Sequence, residues 1–367
     1  MSRMVALDVV TGPLAEAVAA DVRRVAEAAQ TVDGVAPLSE QPLLWLRDPA
    51  ADVRHVLARD DAGALVGYAQ VDLAATPDPT AELVVAPDAR RRGTGTALLG
   101  GAGSVAAGDA HGSLAVWAHG DLPAARALAA RHGLVPVREL WQMRLDLTPG
   151  ASEVAADGRV ATGATTGTPT AAPSLPPARP LPDGVRVRPF VPGQDEEAWL
   201  RVNARAFTDH PEQGRMTLAD LRAREAEPWF DPAGLLLAER DGELLASLWT
   251  KVHAPDATNP EPVGEIYALG VDPDAQGLGL GGALTALALE HLAARGLDAV
   301  ILYTERENAA AVRTYTRAGF VRSAVDVLLG SPGHVPPTPD PAGATSPAEP
   351  PTLPDTPGSP PSGTMER

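Results

Sequence analysis

Two glycine loops stand where a predicted strand gives way to a predicted helix, in a spacing that could bind an anion. One begins at Gln276 as Q-x-x-G-x-G and the other at Arg90 as R-x-x-G-x-G. Glycine lets the backbone approach a ligand, and the unpaired N–H groups of the first helical turn point at it along the positive end of the helix dipole. This chemistry suits a diphosphate group. The pattern alone also fits a plain tight turn, so the surrounding elements must decide.

The elements around the two loops repeat in the same order. Each loop is preceded by a predicted hairpin, at residues 55–73 and 234–253, and by one further strand, at 81–87 and 264–271. A helix, a strand, a helix and a last strand follow in both cases. This order predicts α/β layers with helices on the sheet faces, and its repetition predicts an internal duplication on the scale of a domain.

Two segments separate themselves from the duplicated regions by composition. Residues 148–184 and 331–367 are rich in Pro, Ala, Thr, Ser and Gly and have almost no large apolar side chains. Such segments cannot offset the entropy of ordering by burial, so we expect a linker and a disordered tail. The predicted domains are therefore residues 1–147, called the first half, and residues 185–330, called the second half.

The composition excludes several classes of function. A formal net charge of −17 argues against nucleic acid and anionic membranes as partners. The chain has no cysteine, which excludes disulfides, thiolate metal sites and a catalytic cysteine. No apolar run is long enough for a membrane span, no signal peptide is evident, and the histidines lack metal-ligand spacing. We therefore expect a cytoplasmic protein that binds no metal ion.

The motifs together resemble the GNAT family of acetyltransferases. Both halves have the strand, the Q/R-x-x-G-x-G loop and the helix, and the second half adds N-x-x-A-x-x-x-Y-x-x-x-G-F from Asn308 to Phe320. The stretches LSEQPLLWL (38–46), HPEQG (210–214) and WTKVH (249–253) are similar to the mycothiol synthase family, the tandem GNAT enzymes of actinobacteria. The resemblance implies an α/β fold of two tandem GNAT domains, each a mixed, partly antiparallel sheet with helices on both faces.

The resemblance also implies a reaction, the transfer of the acetyl group of acetyl-CoA to the cysteinyl amine of Cys-GlcN-Ins. Glu265 would be the general base, and a strong base is unnecessary because an α-amino group has an ordinary pKa near 8. Tyr315 would act as the acid for the departing CoA thiolate. Ordinary pKa values of about 10 and 8.5 make that proton transfer uphill by about 2 kcal/mol, which favours a hydrogen bond to the developing thiolate instead.

Periodicity places other residues around these two candidates. Along the strand, alternation predicts that Glu265 shares a face with Tyr267, Leu269 and Val271. Asn308 is a good N-cap for the helix that carries Tyr315 two turns later.

The resemblance assigns acetyl-CoA and the acceptor to residues of both halves. The acetyl-CoA residues of the second half are Leu269, Gly270, Val271, Gln276, Gly277, Leu278, Gly279, Leu280, Gly281, Gly282, Asn308, Ala309, Ala310, Ala311, Val312 and Arg313. Those of the first half are Leu83, Val84, Val85, Arg91, Arg92, Gly93, Thr94, Gly95 and Thr96. The acceptor residues are Glu40, Glu212, Lys251, Glu265 and Tyr303. Carboxylates and hydroxyl groups suit a polyol that carries a cationic amine.

Two departures from the family pattern affect these expectations. The loop of the second half reads Gln276, Gly277, Leu278 where many relatives have arginines, so diphosphate binding would depend on backbone N–H groups and on Arg313. We expect weaker or more salt-sensitive CoA binding as a result. The helix of the first half, at residues 122–133, has no tyrosine, which predicts a half that holds CoA without catalysing transfer.

Two alternative functions stay open at this point. One is a tandem GNAT acetyltransferase for a protein N-terminus or an aminoglycoside, and the other is an acyl-CoA-binding sensor without turnover. The HPEQG and WTKVH stretches argue against the first alternative, and the presence of both Glu265 and Tyr315 argues against the second.

Overall fold

The computed structural model describes residues 5–75, 78–108, 113–147, 180–208, 211–255 and 259–333. The predicted linker up to residue 179 and the predicted tail beyond residue 333 lie outside these residues. No helix in this described part of the chain is long and apolar enough to cross a membrane.

The two halves have the predicted order of elements. The first half contains β1 (Ala6–Thr11), α1 (Glu16–Asp33), α2 (Glu40–Trp45), β2 (Val53–Arg59), β3 (Leu65–Asp72), β4 (Thr80–Val85), α3 (Thr94–Gly108), β5 (Ala115–Ala118), α4 (Pro123–Arg131) and β6 (Val135–Asp146). The second half contains β7 (Arg186–Pro189), α5 (Glu196–Ala206), α6 (Pro211–Gly214), α7 (Leu218–Glu225), β8 (Leu235–Arg240), β9 (Glu243–His253), β10 (Val263–Val271), α8 (Leu280–Ala293), β11 (Ala299–Glu305), α9 (Ala309–Arg317) and β12 (Val321–Gly330).

The strands of both halves join in one mixed sheet. Its order among the described residues is β1-β2-β3-β4-β5-β12-β6-β11-β10-β9-β8-β7. The last strands are exchanged between the halves, because β6 pairs with β11 and β12, and β12 pairs with β5. The exchange brings residues of the first half beside the strands that carry the predicted site of the second half.

Helices cover both faces of this sheet, as the fold class predicts. Neighbouring residues of β9 enter different hydrophobic clusters, since Leu248 packs against α8 and Trp249 packs against Trp199 of α5. In the first half, Leu57 of β2 packs with α1 and Val56 packs with α3. The alternation of the strands therefore supplies one apolar layer to each face.

Two parallel strand pairs separate after a few residues. β4 pairs with β5 only at Thr80 and Ala81, and β10 pairs with β11 only at Gly264–Ile266. Beyond these positions no described strand pairs with the inner edges of Leu83–Val85 and Leu269–Val271. An unpaired strand edge offers backbone hydrogen bonds to an extended ligand.

A bulge in β10 changes which side chains share a face. The register with β9 shifts after Ile266, so Tyr267 is an extra residue in the strand. Leu269 and Val271 then pack against the cluster under α8. The prediction that they share a face with Glu265 is therefore wrong, because an inserted residue reverses the alternation of every residue that follows it.

Candidate active site

The glycine loop of the second half is open toward solvent at the start of α8. Gly277 and Gly279 have φ values of +80° and +86°, in the left-handed region that favours glycine, and Gly279 is the N-cap of α8. A Cβ atom added at Gly279 or Gly281 would meet nothing within 4 Å. Residues 276–279 are also exposed, so an anion can reach the start of α8 from solvent.

A cavity of about 590 Å³ lies between the two halves. The second half contributes Leu269 of the separated strand edge together with Asn308 and Tyr315, and the first half contributes Ser39 and Gln41. Of the residues predicted to bind acetyl-CoA, those lining this cavity are Leu269, Asn308 and Ala311. The loop at 276–282 is not part of its lining.

The helix α9 presents Tyr315 to this cavity. The Asn308 side chain accepts a hydrogen bond of 3.0 Å from the Ala311 N–H, which confirms the predicted N-cap. Tyr315 is 8% exposed and packs edge-on against Phe320 with ring centroids 5.9 Å apart. Burial raises the pKa of Tyr315 to about 12. Proton transfer to a thiolate of ordinary pKa would then cost about 5 kcal/mol, so the hydroxyl is suited to donating a hydrogen bond.

Buried tyrosines of the folded chain should ionise later than those of the unfolded chain. Burial raises the pKa of Tyr68, Tyr267 and Tyr315 above the ordinary value. At about pH 10, where half the tyrosines of an unfolded chain are ionised, we expect little tyrosinate absorbance from these three residues. The unfolded chain then binds fewer protons than the folded chain, so the free energy of unfolding should fall as the pH rises above about 10.

The measurement is a titration of tyrosinate absorbance in buffer and in denaturant, together with denaturant unfolding at several alkaline pH values. Coincident titration curves for the folded and the unfolded chain would contradict this prediction.

Glu265 lies near the start of β10 and is 6% exposed. Its Oε2 lies 2.5 Å from Nε2 of His253, the last residue of β9. In the register of the two strands Glu265 faces Lys251. The family resemblance implies roles for Glu265 and Lys251 but not for His253, although His253 ends the WTKVH stretch.

The predicted acceptor residues Glu40 and Lys251 meet across the two halves. Lys251 donates a hydrogen bond to Glu40, and its ammonium lies 4.3 Å from the centroid of the Trp229 ring. Tyr267, the bulge residue, donates to the other oxygen of Glu40 at 2.7 Å. Burial alone would raise the pKa of Glu40, but the contacts with Lys251 and Tyr267 hold it below its ordinary value. Glu40 is therefore an anion at neutral pH.

Arg224 of α7 completes this network, although no motif in the sequence predicts a role for it. Its Nε donates to the Tyr267 hydroxyl at 2.6 Å, and its guanidinium also donates to Gln41 of the first half. The contacting residues are 43 and 183 positions away in the chain. No local pattern around Arg224 indicates these partners, since helix periodicity shows only the face on which a residue lies.

The other two predicted acceptor residues are Tyr303 and Glu212. Tyr303 of β11 lines the cavity, and its hydroxyl accepts a hydrogen bond of 2.8 Å from Gln142. Gln142 belongs to the exchanged strand β6, so the first half supports this position too. Glu212 lies in α6, but its side chain is outside the described part of the chain.

The first half has a second cavity, of about 580 Å³. The predicted acetyl-CoA residues that line it are Leu83, Val84, Val85, Arg91, Gly93, Gly95 and Thr96. Arg91 has a φ of +61° at the position that matches Gly277, and Arg90 forms two hydrogen bonds of 2.7 Å with Asp33. The position that matches Tyr315 is the buried Ala129, which has no group to donate to a leaving thiolate.

His119 lies at the wall between the two cavities and lines both. Its nitrogens lie 3.3 Å from Glu82 and 3.2 Å from Asp326 of the exchanged strand β12. Burial alone would lower the pKa of His119, but Glu82 and Asp326 raise it to about 10. The imidazolium and these two carboxylates therefore link the first half to the exchanged strand.

Comparison with known sequences places this architecture among acetyltransferases. The sequence profile of the acetyltransferase (GNAT) family matches residues 22–134 and 199–320, which are segments of the two halves. A mycothiol acetyltransferase from Cellulomonas flavigena is 58% identical over 362 residues, covering 96% of this chain and 95% of that protein. A mycothiol acetyltransferase from Sanguibacter keddieii is 55% identical, covering 89% of this chain and 97% of that protein.

Solved structures have the same fold at low sequence identity. A GCN5-related N-acetyltransferase from Sphaerobacter thermophilus aligns with a TM-score of 0.59 at 23% identity, covering 88% of this chain and 95% of that one. A tandem GNAT protein from the clavulanic acid biosynthesis pathway aligns with a TM-score of 0.60 at 19% identity, covering 89% of this chain and 98% of that one. The predicted fold of two tandem GNAT domains is confirmed.

Proposed function

The chain belongs to the GNAT family of acetyltransferases, and we propose on this premise that it transfers the acetyl group of acetyl-CoA to the cysteinyl amine of desacetylmycothiol (Cys-GlcN-Ins), forming mycothiol. The observation that carries the proposal is the cavity between the halves, which is lined by Leu269 and Tyr315 and by Tyr267 of the Glu40 and Lys251 network. The relatives named mycothiol acetyltransferase support the identity of the acceptor. We propose further that the enzyme is a cytoplasmic monomer that needs no metal.

The chemistry requires a free amine and a stabilised leaving group. An α-amino group has an ordinary pKa near 8, so releasing its proton at pH 7 costs about 1 kcal/mol, and the carboxylate of Glu265 takes that proton. The amine nitrogen attacks the thioester carbonyl, the C–N bond forms, and the C–S bond breaks. The thiolate leaves with the electron pair and accepts a hydrogen bond from Tyr315. The nitrogen gives up its second proton as the amide forms, and this proton goes to the CoA thiolate, which leaves as the thiol.

Acetyl-CoA would be held mainly by backbone groups. The open edge of Leu269–Val271 suits the amides of the pantetheine arm, and the N–H groups at the start of α8 suit the diphosphate. Arg313 is exposed on α9 and is the cation that we propose for additional charge support. Because the loop itself has no arginine, we keep the expectation that CoA binding is weaker or more salt-sensitive than in relatives with a basic loop.

The acceptor would lie across the junction of the halves. Glu40 and Lys251 provide an anion and a cation for the polyol, and Tyr303 provides a hydroxyl on the wall of the cavity. Glu212 remains a proposed acceptor residue. The first half would hold CoA in its own cavity without transferring acetyl, because Ala129 replaces the tyrosine.

The test is a transfer assay with the purified full chain, acetyl-CoA and Cys-GlcN-Ins, following CoA release and the mass of the product. We expect one acetyl group per acceptor, carried on the cysteinyl nitrogen. Transfer to peptide N-termini or to aminoglycosides, with none to Cys-GlcN-Ins, would contradict the acceptor. Binding of acetyl-CoA with no transfer to any amine would contradict an enzymatic function.

Replacing Gly281 by leucine should weaken acetyl-CoA binding without harming the fold. A Cβ atom added at Gly281 meets nothing within 4 Å, and leucine is a better helix former than glycine. It would occupy the space of the diphosphate and displace one or more charge-assisted hydrogen bonds, each worth about 1.5–3 kcal/mol. We expect the KM for acetyl-CoA to rise about tenfold or more, with an unchanged melting temperature.

The matched control is Gly100→Leu, since Gly100 is an exposed position of α3 where a Cβ also meets nothing. This variant should keep the KM of the parent protein. An unchanged KM in Gly281→Leu would place the diphosphate elsewhere.

A further inference from the structure

We propose that His253 is a positioning residue for acetyl transfer, which orients the carboxylate of Glu265 toward the amine of the acceptor. The inference rests on the proposed function, because it assumes that Glu265 takes the proton of that amine. It assigns a role to a side chain whose sequence motif, WTKVH, otherwise contributes only Lys251 to the site.

The contact between the two residues determines which atom is the donor. His253 Nε2 and Glu265 Oε2 are 2.5 Å apart. An ionised carboxylate has only acceptor atoms, so Nε2 must carry the hydrogen in this pair. This holds whether the imidazole is neutral or protonated, because both forms can have a hydrogen on Nε2. His253 therefore donates a hydrogen bond to the carboxylate that we assign as the base.

The neighbouring cation is committed to another partner. Lys251 faces Glu265 in the register of β9 and β10, but its ammonium donates to Glu40 and lies over the Trp229 ring. His253, two residues further along β9, makes the direct hydrogen bond to Glu265. The two basic side chains of β9 therefore have different partners. Lys251 binds Glu40 of the acceptor network, and His253 binds Glu265, the proposed base.

The hydrogen bond commits one oxygen of the carboxylate and leaves the other for chemistry. With Oε2 held by His253, the amine delivers its proton to Oε1 of Glu265. Without the imidazole the carboxylate can rotate about its side-chain torsions, and catalysis is sensitive to displacements of about 1 Å. The expected effect is on kcat, since the proposed acetyl-CoA contacts lie at the strand edge beyond the bulge and at the start of α8.

The exposure of His253 provides a direct test. Its side chain is 35% exposed, whereas the side chain of Glu265 is 8% exposed. Truncation of His253 to alanine should therefore leave a space that opens to solvent beside a buried carboxylate. Free imidazole can enter such a space and donate the missing hydrogen bond.

The experiment measures kcat and both KM values for full-length His253→Ala, His253→Gln and Glu265→Gln, and for the double variant His253→Ala with Glu265→Gln. We expect kcat of His253→Ala to fall by about 10- to 100-fold, the range typical for loss of a side chain that orients a metal ligand through a hydrogen bond. Added imidazole should restore part of this loss. Glutamine keeps an N–H near the position of Nε2, so His253→Gln should retain most of the activity.

The double variant separates positioning from a general structural effect. If His253 acts through Glu265, its removal should cost nothing further once Glu265 is glutamine. The control is His132→Ala, an exposed histidine of the first half, which should keep the parent kcat. An unchanged kcat in His253→Ala, or a loss that persists fully in the Glu265→Gln background, would overturn the inference. If the parent protein does not acetylate Cys-GlcN-Ins at all, the proposed function fails first.

Discussion

Replacing Glu265 by glutamine is expected to lower kcat for acetyl transfer by about 100- to 1,000-fold, because a glutamine amide cannot take the proton of the attacking amine. Glutamine has the same shape, and its carbonyl oxygen can still accept the hydrogen bond from His253. The KM for acetyl-CoA should stay within about twofold of the parent value, because Glu265 makes none of the proposed CoA contacts.

The pH dependence of this variant distinguishes the loss of a proton acceptor from a change in the geometry of the site. As the pH rises from about 7 to about 9, a growing share of α-amino groups with an ordinary pKa near 8 is already free. The factor by which Glu265→Gln lowers kcat should therefore become smaller as the pH rises. Glu261→Gln, which changes an exposed carboxylate just before β10, is the matched control and should behave as the parent protein. A deficit that is constant over this range would argue against Glu265 as the base.

Replacing Tyr315 by phenylalanine should lower kcat by about 100-fold, with little change in the KM for acetyl-CoA. The loss is that of one hydrogen-bond donor to charge that develops only in the transition state. The ring that packs against Phe320 is retained, so the melting temperature should change by no more than a typical surface substitution does. Steady-state kinetics and thermal unfolding of the same preparation provide both measurements.

The nature of the leaving group tests what Tyr315 does. Burial raises the pKa of Tyr315 to about 12, so its hydroxyl stays protonated through neutral and moderately alkaline pH. The effect of Tyr315→Phe should then be the same from about pH 7 to pH 10, since the donor is present throughout. An acetyl thioester whose thiol is more acidic than CoA releases a more stable thiolate. The substitution should therefore lower kcat less with that donor than with acetyl-CoA. If Tyr315→Phe lowers kcat by the same factor with both thioesters, Tyr315 does not stabilise the departing thiolate.

Residue types and short spacings were enough to predict the repeated elements and the glycine loops. A helix start with Gly279 at its N-cap and a helix capped by Asn308 are local features, because their hydrogen bonds span only a few residues. The order of strands and helices likewise follows from periodicities of the chain itself. For these reasons the α/β fold class and the position of Tyr315 on α9 could be predicted before any tertiary contact was known.

The bulge in β10 could not be predicted from the same patterns. Alternation along the strand placed Leu269 with Glu265, whereas the extra residue Tyr267 turns Leu269 to the other face. A bulge depends on how a partner strand pairs, and the sequence of one strand does not contain that register.

The candidate acceptor site depends most on tertiary structure. Glu40 reaches Lys251 and Tyr267 over more than 200 residues of chain, and Gln142 reaches Tyr303 only because β6 is exchanged into the second half. The sequence by itself determined the two-fold repeat, its loops and the residue types that could transfer an acetyl group. The tertiary structure decided which half supplies which side of the cavity, because strand exchange and side-chain pairing between distant segments lower the free energy only once the whole sheet has formed.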